Sequence, residues 1–504
     1  MKIRCLGAAE NVTGSCHMLN IMGKTILLDC GMYVGEDENE VNNSEFSFDP
    51  SSVECVILSH AHIDHSGRIP LLYKKGYKGK IISTKATEDL CTAMLPDSGH
   101  IAEMETEWKN RKRIRRGQEP LEPLYTAKDA AECIKNFEGH SYEEFIDIFE
   151  GVRIKFRDAG HLLGSAFTEI YVKEIGKKEI KLVYSGDIGN TNIPIIKDPT
   201  YIDSADYVIM ETTYGDRVHE ALKNEFEALS DIIKDTFKRG GNVIIPSFAV
   251  GRTQEVLYAL NKFVEEDMTN LKVYVDSPLA YESSVVFQKN TNIFDEDAAR
   301  ALKNGDNPID FKGLVYTRNA EDSMEINKIK SGAIIISSSG MCEAGRIKHH
   351  LKHNLWRKEC SVVFVGYQAN GTLGKSILDG AKKVKIFGEE VAVNAKIYNL
   401  HGLSGHADRN GLLKWICAYK NKPKKVILVH GDKGAQESFL KELIRKGFNA
   451  VIAKKDAVIN INESVEENEA LKNKLMKYIQ SIDDYSNISK EEVIRHIENI
   501  FKEA

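Results

Sequence analysis

"LSHAHIDHSGRIP", residues 58–70, sets His60, His62, Asp64 and His65 within six positions. His60 and His62 are two apart in an extended segment, so they project to the same side and can approach one ion together. Asp64 and His65 follow at a turn, with Gly67 and Pro70 just beyond near a helix start, and are held at a different angle. Fitting all four to a single tetrahedral ion would strain the backbone, whereas a pair for each of two ions would not. The stretch therefore predicts a dinuclear centre, and such a centre needs further ligands from elsewhere in the chain.

A recurring pattern supplies candidates: a short apolar strand followed by a loop with an ionisable residue. "TILLDCG" ends at Asp29, "VRIKFRDAGH" at His161, "IKLVYSGD" at Asp187, "DYVIMET" at Glu211 and "KKVILVHGD" at His430. Strands that are nearly all apolar are buried on both faces, and their polar ends can meet at one rim of a sheet, where ligands bind. We assign His60, His62 and His161 to one ion and Asp64, His65 and His430 to the other, with Asp187 bridging. A shared carboxylate offsets the repulsion of two dications about 3.5–4 Å apart. Imidazoles with a few carboxylates favour two zinc ions, although manganese or iron would also fit. Asp29 is read as a hydrogen-bond acceptor that fixes a ligand histidine's tautomer. Taken singly, His161, Asp187 and His430 also have a plain reading as polar residues at strand ends.

Helical stretches separate the strands. In "EFEALSDIIKDTFKRG", Phe226, Leu229, Ile232, Ile233 and Phe237 fall at helical spacing, and Gly240 and Gly241 stop the helix. The class is α/β. From 206 to 385 strand–helix units repeat without histidine clusters, which reads as an inserted α/β domain. Residues 1–205 and 386–460 then form one divided domain, and 461–504 a charged helical C-terminal extension. Residues 88–140 are polar and helix-prone.

The length of 504 residues exceeds one compact core, while 42% apolar and 28% charged residues suit a chain folded throughout. No apolar run approaches a membrane span, and the start, "MKIRCLGAAENVTG", lacks the apolar stretch of a secretory signal, so no membrane association and a cytoplasmic location are expected. Nine scattered cysteines form no Cys-x-x-Cys pair, which points to reduced thiols. A formal net charge of -6 argues against binding nucleic acid through overall positive charge. "KNRKRIRR", residues 109–116, is the one dense basic cluster, readable as a solvated helix face or as a contact to a substrate strand.

With these residues in place, the chain resembles the metallo-β-lactamase superfamily over about residues 1–460, and within it the nuclease branch carrying a β-CASP insertion. It is similar to the cleavage and polyadenylation endonuclease and its bacterial and archaeal relatives. Asp29, "HAHIDH" (His60 to His65), His161 and Asp187 match the superfamily's first four motifs. Glu211 in "ETTYGD", His406 in "GLSGHAD" and His430 in "LVHGD" match the three β-CASP motifs, and histidine at the last of these is associated with RNA-directed members. An RNA-binding amino-terminal extension, present in some archaeal members, is not expected.

The resemblance implies a metallo-β-lactamase αββα sandwich with an inserted β-CASP domain, and a ribonuclease acting as endonuclease, 5′-to-3′ exonuclease or both. Two zinc ions would activate a bridging water for attack on phosphorus, with Asp64 serving both as ligand and in catalysis. His406 would protonate the departing 3′-oxygen, oriented by Glu211 or Asp408, leaving 5′-phosphate and 3′-hydroxyl ends. By sequence alone His406 is equally a residue at the start of the helix "SGHADRNGLLKWI". Ser338, Ser339 and Gly340 of "SSSGM" could cradle a phosphate or form a plain turn, and Arg252 could reach RNA or brace the domain interface. The partner is RNA, and a homodimer is one open arrangement. Three rivals stand: a hydrolase of small esters or thioesters, which leaves the insertion and His406 without a role; an ATPase using "ANGTLGKS", residues 369–376, as a phosphate loop; and a non-catalytic scaffold.

Overall fold

Each apolar run before a candidate ligand is a strand, and two sheets collect these strands. The computed structural model describes residues 1–461 except 36, 38–40, 220–221, 267, 401 and 403. Beyond Ile461, the expected helical extension lies outside the described residues.

The first sheet runs, in spatial order, Val458–Asn460, Lys2–Gly7, Cys16–Ile21, Lys24–Leu28, Val53–Ile57, Lys80–Thr84 and Phe137–His140. The second runs Ala450–Ile452, Lys425–Val429, Tyr207–Glu211, Ile180–Tyr184, Ala166–Val172, Val152–Asp158 and Phe145–Phe149. Their inner faces meet in one core, where Leu19, Ile26, Leu28 and Ile57 pack with Ile154, Phe156, Ile170 and Ile209. The outer face of the first sheet, through Leu27, Val56 and Ile81, is covered by Ile69, Leu72, Leu90 and Met94 from helices. That of the second, through Val183, Val208 and Leu428, is covered by Leu412, Trp415 and Phe439. Both sheets mix parallel and antiparallel pairs, so the expected burial of strands on both faces comes from helix and sheet layers together. The result is the αββα sandwich.

A third sheet, Leu314–Tyr316, Lys272–Asp276, Ala333–Ser337, Val243–Pro246, Ser361–Phe364 and Lys396–Asn399, is parallel throughout and belongs to the insertion. Strand pairing bears on the insertion borders, expected at 206 and 385. Tyr207–Glu211 is fully buried and pairs with Ile180–Tyr184 and Lys425–Val429 in the second sheet, whereas Lys396–Asn399 pairs with Ser361–Phe364 in the third. An apolar strand reads alike in either sheet, and only pairing separates them. We propose that the insertion begins after Glu211 and that its sheet extends past 385 to take in Lys396–Asn399.

The polar stretch after residue 84 forms a 31-residue helix, Lys85–Arg115, capped by the Thr84 side chain accepting from Thr87 N–H. Its first half buries Ala86, Leu90, Cys91 and Leu95. Near residue 99 the chain returns so closely that a side chain on Gly99 would collide with the Thr126 backbone. Beyond that point most of the helix is exposed, and the Asn110 amide exchanges a pair of bonds with the Leu121 backbone of the returning segment.

Candidate metal centre

The strand ends deliver their side chains to one rim. His60 Nε2 lies 3.0 Å from His62 Nδ1, which lies 3.2 Å from His161 Nε2, and both His60 and His161 are 3.4 Å from Asp187 Oδ2. On the other side His65 Nε2 is 3.1 Å from His430 Nε2 and 3.2 Å from Asp187 Oδ1, and Asp64 Oδ2 is 3.5 Å from His430 Nε2. These are two donor sets sharing Asp187 through different oxygens. Ligand atoms around a tetrahedral zinc stand about 3.3–3.4 Å apart, given bonds of about 2.0–2.1 Å. The observed spacings match that size.

Local backbone features produce the convergence. His62 caps the one-turn helix Ile63–Ser66, which carries Asp64 and His65 away from the extended His60–His62 segment, as the spacing implied. Side chains at Gly31 or Gly189 would overlap the carbonyl oxygens of Asp64 and Gly160, so both glycines permit ligand-bearing loops to close in. Asp29 and His430 adopt left-handed backbone, φ 61° and 49°, a cost accepted where the fold over-determines a site.

Behind the donors, Asp29 organises the ring orientations. Its Oδ2 accepts from His65 Nδ1 at 2.6 Å, Tyr184 Oη at 2.6 Å and Ser59 Oγ at 2.8 Å, and its Oδ1 accepts from Ser59 N at 2.7 Å. Because the single Ser59 hydroxyl proton goes to Asp29, Ser59 Oγ accepts from His60 Nδ1 at 3.0 Å, which leaves the His60 Nε2 lone pair facing the site. Thr213 Oγ1 lies 3.0 Å from His430 Nδ1. Sequence reasoning named Asp29 and missed Ser59, Tyr184 and Thr213; Tyr184 was discoverable, as the last residue of the strand that leads to Asp187 three positions on.

Charge in the site asks for cations. Burial pushes His60 and His161 well below the usual imidazole range and His62 down to about 4, which leaves neutral rings able to coordinate. His65 shows the opposite: burial lowers it, but the carboxylates of Asp187, Asp64 and Asp29 outweigh burial and hold it well above its ordinary value. Burial would raise Asp187, yet His430, His65 and His406 together keep it far below the carboxylate range. Asp187 Oδ1 is buried without a hydrogen-bond donor. Among the described residues the counter-charge to the buried Asp187 comes from imidazoles, and such an anion fits a pair of dications better than it fits protons.

His406 sits beside this cluster, its ring 4.4 Å from that of His161 and its Nδ1 3.1 Å from Glu211 Oε1. Glu211 is fully buried and also accepts from Ile188 N and Thr213 N, so its position is fixed on both oxygens. Of the two expected orienting groups, Asp408 is otherwise engaged. It caps the helix Arg409–Cys417 by accepting from Gly411 N and takes His219 N on its other oxygen. His406 precedes that helix and bridges to Gly189, so its alternative reading as a helix residue does not hold. The side chains of Asp64 and His406 are 24% and 20% exposed and His62 is also partly exposed, so these three open the site to solvent while His60, His65, His161, Asp187 and His430 are buried behind them.

The remaining candidates lie on the carboxyl edge of the third sheet. Ser338 Oγ donates to Ser277, Ser339 Oγ accepts from Glu343 N and Ala344 N, and the Gly340 carbonyl accepts from Gln368. The Ser339 acceptor capacity is thus taken up in its own turn. Arg252 pairs with Glu255 at the start of the helix Arg252–Glu266 and is buried, next to Gly251, whose turn meets Leu162 beside His161. That placement favours the bracing role. In "ANGTLGKS", Lys375 is paired with Asp379 at 2.5 Å and the following helix, Leu373–Leu378, is only six residues long, an arrangement that ties up the phosphate-binding lysine of the ATPase reading.

A sandwich of two mixed sheets with paired His/Asp donor sets at its rim, and a parallel α/β insertion beside it, defines a metallo-β-lactamase-type hydrolase. Family models match for the metallo-beta-lactamase superfamily over residues 10–126, the Beta-Casp domain over 253–377, and the Zn-dependent metallo-hydrolase RNA specificity domain over 390–453. The chain belongs to the β-CASP ribonuclease branch of the metallo-β-lactamase superfamily and is a metal-dependent RNA hydrolase. It is 36% identical over 454 residues to a ribonuclease of Thermus thermophilus, covering 90% of this chain and 98% of that one. It is 31% identical to the transcription termination factor FttA of Methanocaldococcus jannaschii over 86% of this chain and 67% of that one, and 31% identical to an RNase J-like protein of the same organism over 86% and 93%. A solved structure, a protein of unknown function from Enterococcus faecalis V583, shares the fold at a TM-score of 0.52 and 12% identity, covering 91% of this chain and 99% of that one. Among the described residues no helix is long and apolar enough to cross a membrane.

Proposed function

We propose that this chain hydrolyses RNA phosphodiester bonds with two zinc ions, held by His60, His62 and His161 on one side and Asp64, His65 and His430 on the other, with Asp187 between them. The observation that carries this reading is the division of Asp187: Oδ2 faces the first donor set and Oδ1 the second. Cations bound there would supply a nucleophile from water at neutral pH and counter-charge for the phosphoryl oxygens. The protein's own groups do the rest. His406 Nδ1 is committed to Glu211, so Nε2 is the nitrogen that offers a proton to the departing 3′-oxygen. Burial would lower the His406 pKa, but the Glu211 and Asp187 carboxylates raise it to about 9, which keeps that proton in place at neutral pH. The products carry 5′-phosphate and 3′-hydroxyl ends.

The test uses end-labelled RNA and matched single-stranded DNA, each with and without chelator, with Asp187→Ala and His406→Ala variants alongside and metal content measured on the purified protein. Expected is chelator-sensitive RNA cleavage, abolished in Asp187→Ala and slowed about 10²–10⁴-fold in His406→Ala. Ligation of the products without prior phosphorylation checks the 5′-phosphate. Undiminished cleavage by Asp187→Ala sinks the assignment, and manganese or iron in the protein replaces zinc in it.

A further inference from the structure

The helix Lys85–Arg115 is anchored near the site at its start and is mostly exposed toward its far end. Thr84 and Thr87 hydroxyls both donate to the Gly164 carbonyl, three residues past His161, and Asp89 binds Lys289 and Asn290 of the insertion. Past Gly99 the helix presents two different faces. Glu103, Thr106, Asn110 and Arg113 are partly buried toward the returning segment, whereas Ile101, Met104, Trp108, Lys112 and Arg115 face outward and are exposed.

Charge on this arm is segregated along its length. Glu103, Glu105 and Glu107 lie toward the body, and Lys109, Arg111, Lys112, Arg113, Arg115 and Arg116 toward the tip, with no acid among residues 109–116. Lys109 and Arg111 are neutralised by Glu105 and Glu107, and Arg113 is held by the Glu119 carbonyl. Lys112 lies 3.5 Å from the Trp108 ring centroid, and Trp108 is 58% exposed. Arg115 and Arg116 are exposed and have no ion-pair partner among the described residues. A helix dipole favours a cation in the last turn, worth about 0.3–1 kcal/mol at the surface. It gives no reason for an exposed tryptophan on one face with Lys112, Arg115 and Arg116, none of which has an ion-pair partner among the described residues.

We propose that this outer face, formed by Trp108, Lys112, Arg115 and Arg116, holds the backbone of a single-stranded RNA whose scissile phosphate lies in the metal centre. The proposal rests on the RNA-hydrolase reading and extends it to a second contact on the same strand. RNA is the occupant that the charge favours, because a phosphate chain meets unpaired cations there and a base finds an aromatic face. The 25 residues from Thr87 to Lys112 span about 38 Å at 1.5 Å per residue. Stacked nucleotides advance about 3.4 Å each, so roughly eleven separate the two contacts. A short oligonucleotide reaches one of them, and a long one reaches both.

The experiment compares binding of a ~24-nucleotide and a ~6-nucleotide single-stranded RNA by fluorescence anisotropy on the full chain, a choice of lengths set by that spacing. Chelator is present throughout, so binding is read whether or not the RNA is cleaved. Lys112→Gln/Arg115→Gln/Arg116→Gln should weaken the long RNA about tenfold and lower the salt slope by about 2, at roughly 0.7 for each phosphate no longer neutralised. Trp108→Ala should weaken it too. The rate at which the short RNA is cleaved with metal restored should not change, which also shows that the variants fold. Slower cleavage of the short RNA to the same extent as of the long one, or no weakening of the long one, overturns the proposal. So does a dimer in sedimentation that Trp108→Ala dissociates without affecting RNA, since the face would then bind a second copy. Failure of the nuclease reading looks different: metal-dependent cleavage of both RNAs by the unaltered chain would be missing.

Discussion

Glu211 and His406, 195 positions apart in sequence, meet at 3.1 Å between Oε1 and Nδ1. The carboxylate is immobilised by the backbone N–H groups of Ile188 and Thr213, at 2.7 and 3.1 Å, so it acts as a fixed negative charge against the imidazole. A proton donor works below its pKa and fails above it, and for His406 that limit lies at about 9. Replacing Glu211 by Gln removes the main group raising it. The alkaline limb of single-turnover cleavage should therefore move down by about one to two pH units. An unmoved limb in Glu211→Gln would exclude His406 as the titrating acid.

Asp187 is the one donor common to both sets, with Oδ2 at 3.4 Å from His60 and Oδ1 at 3.2 Å from His65. Asp187→Asn keeps the shape and removes the charge. It should lower bound metal from two equivalents to about one or fewer, because an amide cannot offset the repulsion of two dications. Elemental analysis of the purified variant against the unaltered chain decides this, and full occupancy in the variant would show that the bridge is dispensable.

Asp29 touches no candidate metal position, yet its loss should be felt there. Asp29→Asn retains a side chain that tolerates left-handed backbone, while Asp29→Ala also abandons His65, Tyr184 and Ser59. We expect metal affinity to fall about 10–100-fold in Asp29→Asn. Asp29→Ala should add a stability loss of about 2–4 kcal/mol in urea unfolding. Equal stability of the two variants would mean that the hydrogen bonds around Asp29 contribute little.

In the insertion, Asp276 is wholly buried and accepts from Thr317, Arg346, Ser323 and His350 at 2.5–2.7 Å. Burial would raise its pKa, but the hydrogen bonds from His350, Ser323, Thr317 and Arg346 outweigh burial and place it well below the carboxylate range. A carboxylate depressed in the folded state contributes its full stability above its unfolded pKa of about 3.9 and loses it as pH falls toward the folded value. Asp276→Asn should thus cost about 3–5 kcal/mol at pH 7, with the gap to the unaltered chain closing below pH ~4. A gap independent of pH would mean that shape, not charge, matters at this position.

The histidine stretch at 60–65 announced a two-ion site because side-chain direction along a few residues is a local property. The same holds for the apolar strands that end at Asp29, His161, Asp187 and His430: hydrophobic pattern alone says that they are buried and that their polar termini share a rim. The helix-prone reading of residues 88–140 covers most of the helix Lys85–Arg115 but not the strand Phe137–His140, which pairs with Lys80–Thr84 only once the sheet is assembled. The roles of Asp408 and Ser339 eluded a linear reading for a related cause. A capping carboxylate and an orienting one are the same residue type, and the choice depends on which N–H stands nearest.

Local composition therefore determined the strands, the α/β class and the kind of donors gathered at the candidate metal centre. Which sheet Tyr207–Glu211 and Lys396–Asn399 join was decided only in three dimensions, because a buried apolar strand pairs equally well with many neighbours until the whole sheet selects one. The meeting of Glu211 with His406 and the two-way sharing of Asp187 were decided there as well. Contacts measured in tenths of an ångström between residues far apart in the chain are set by loop closure and packing, which no short stretch of sequence contains.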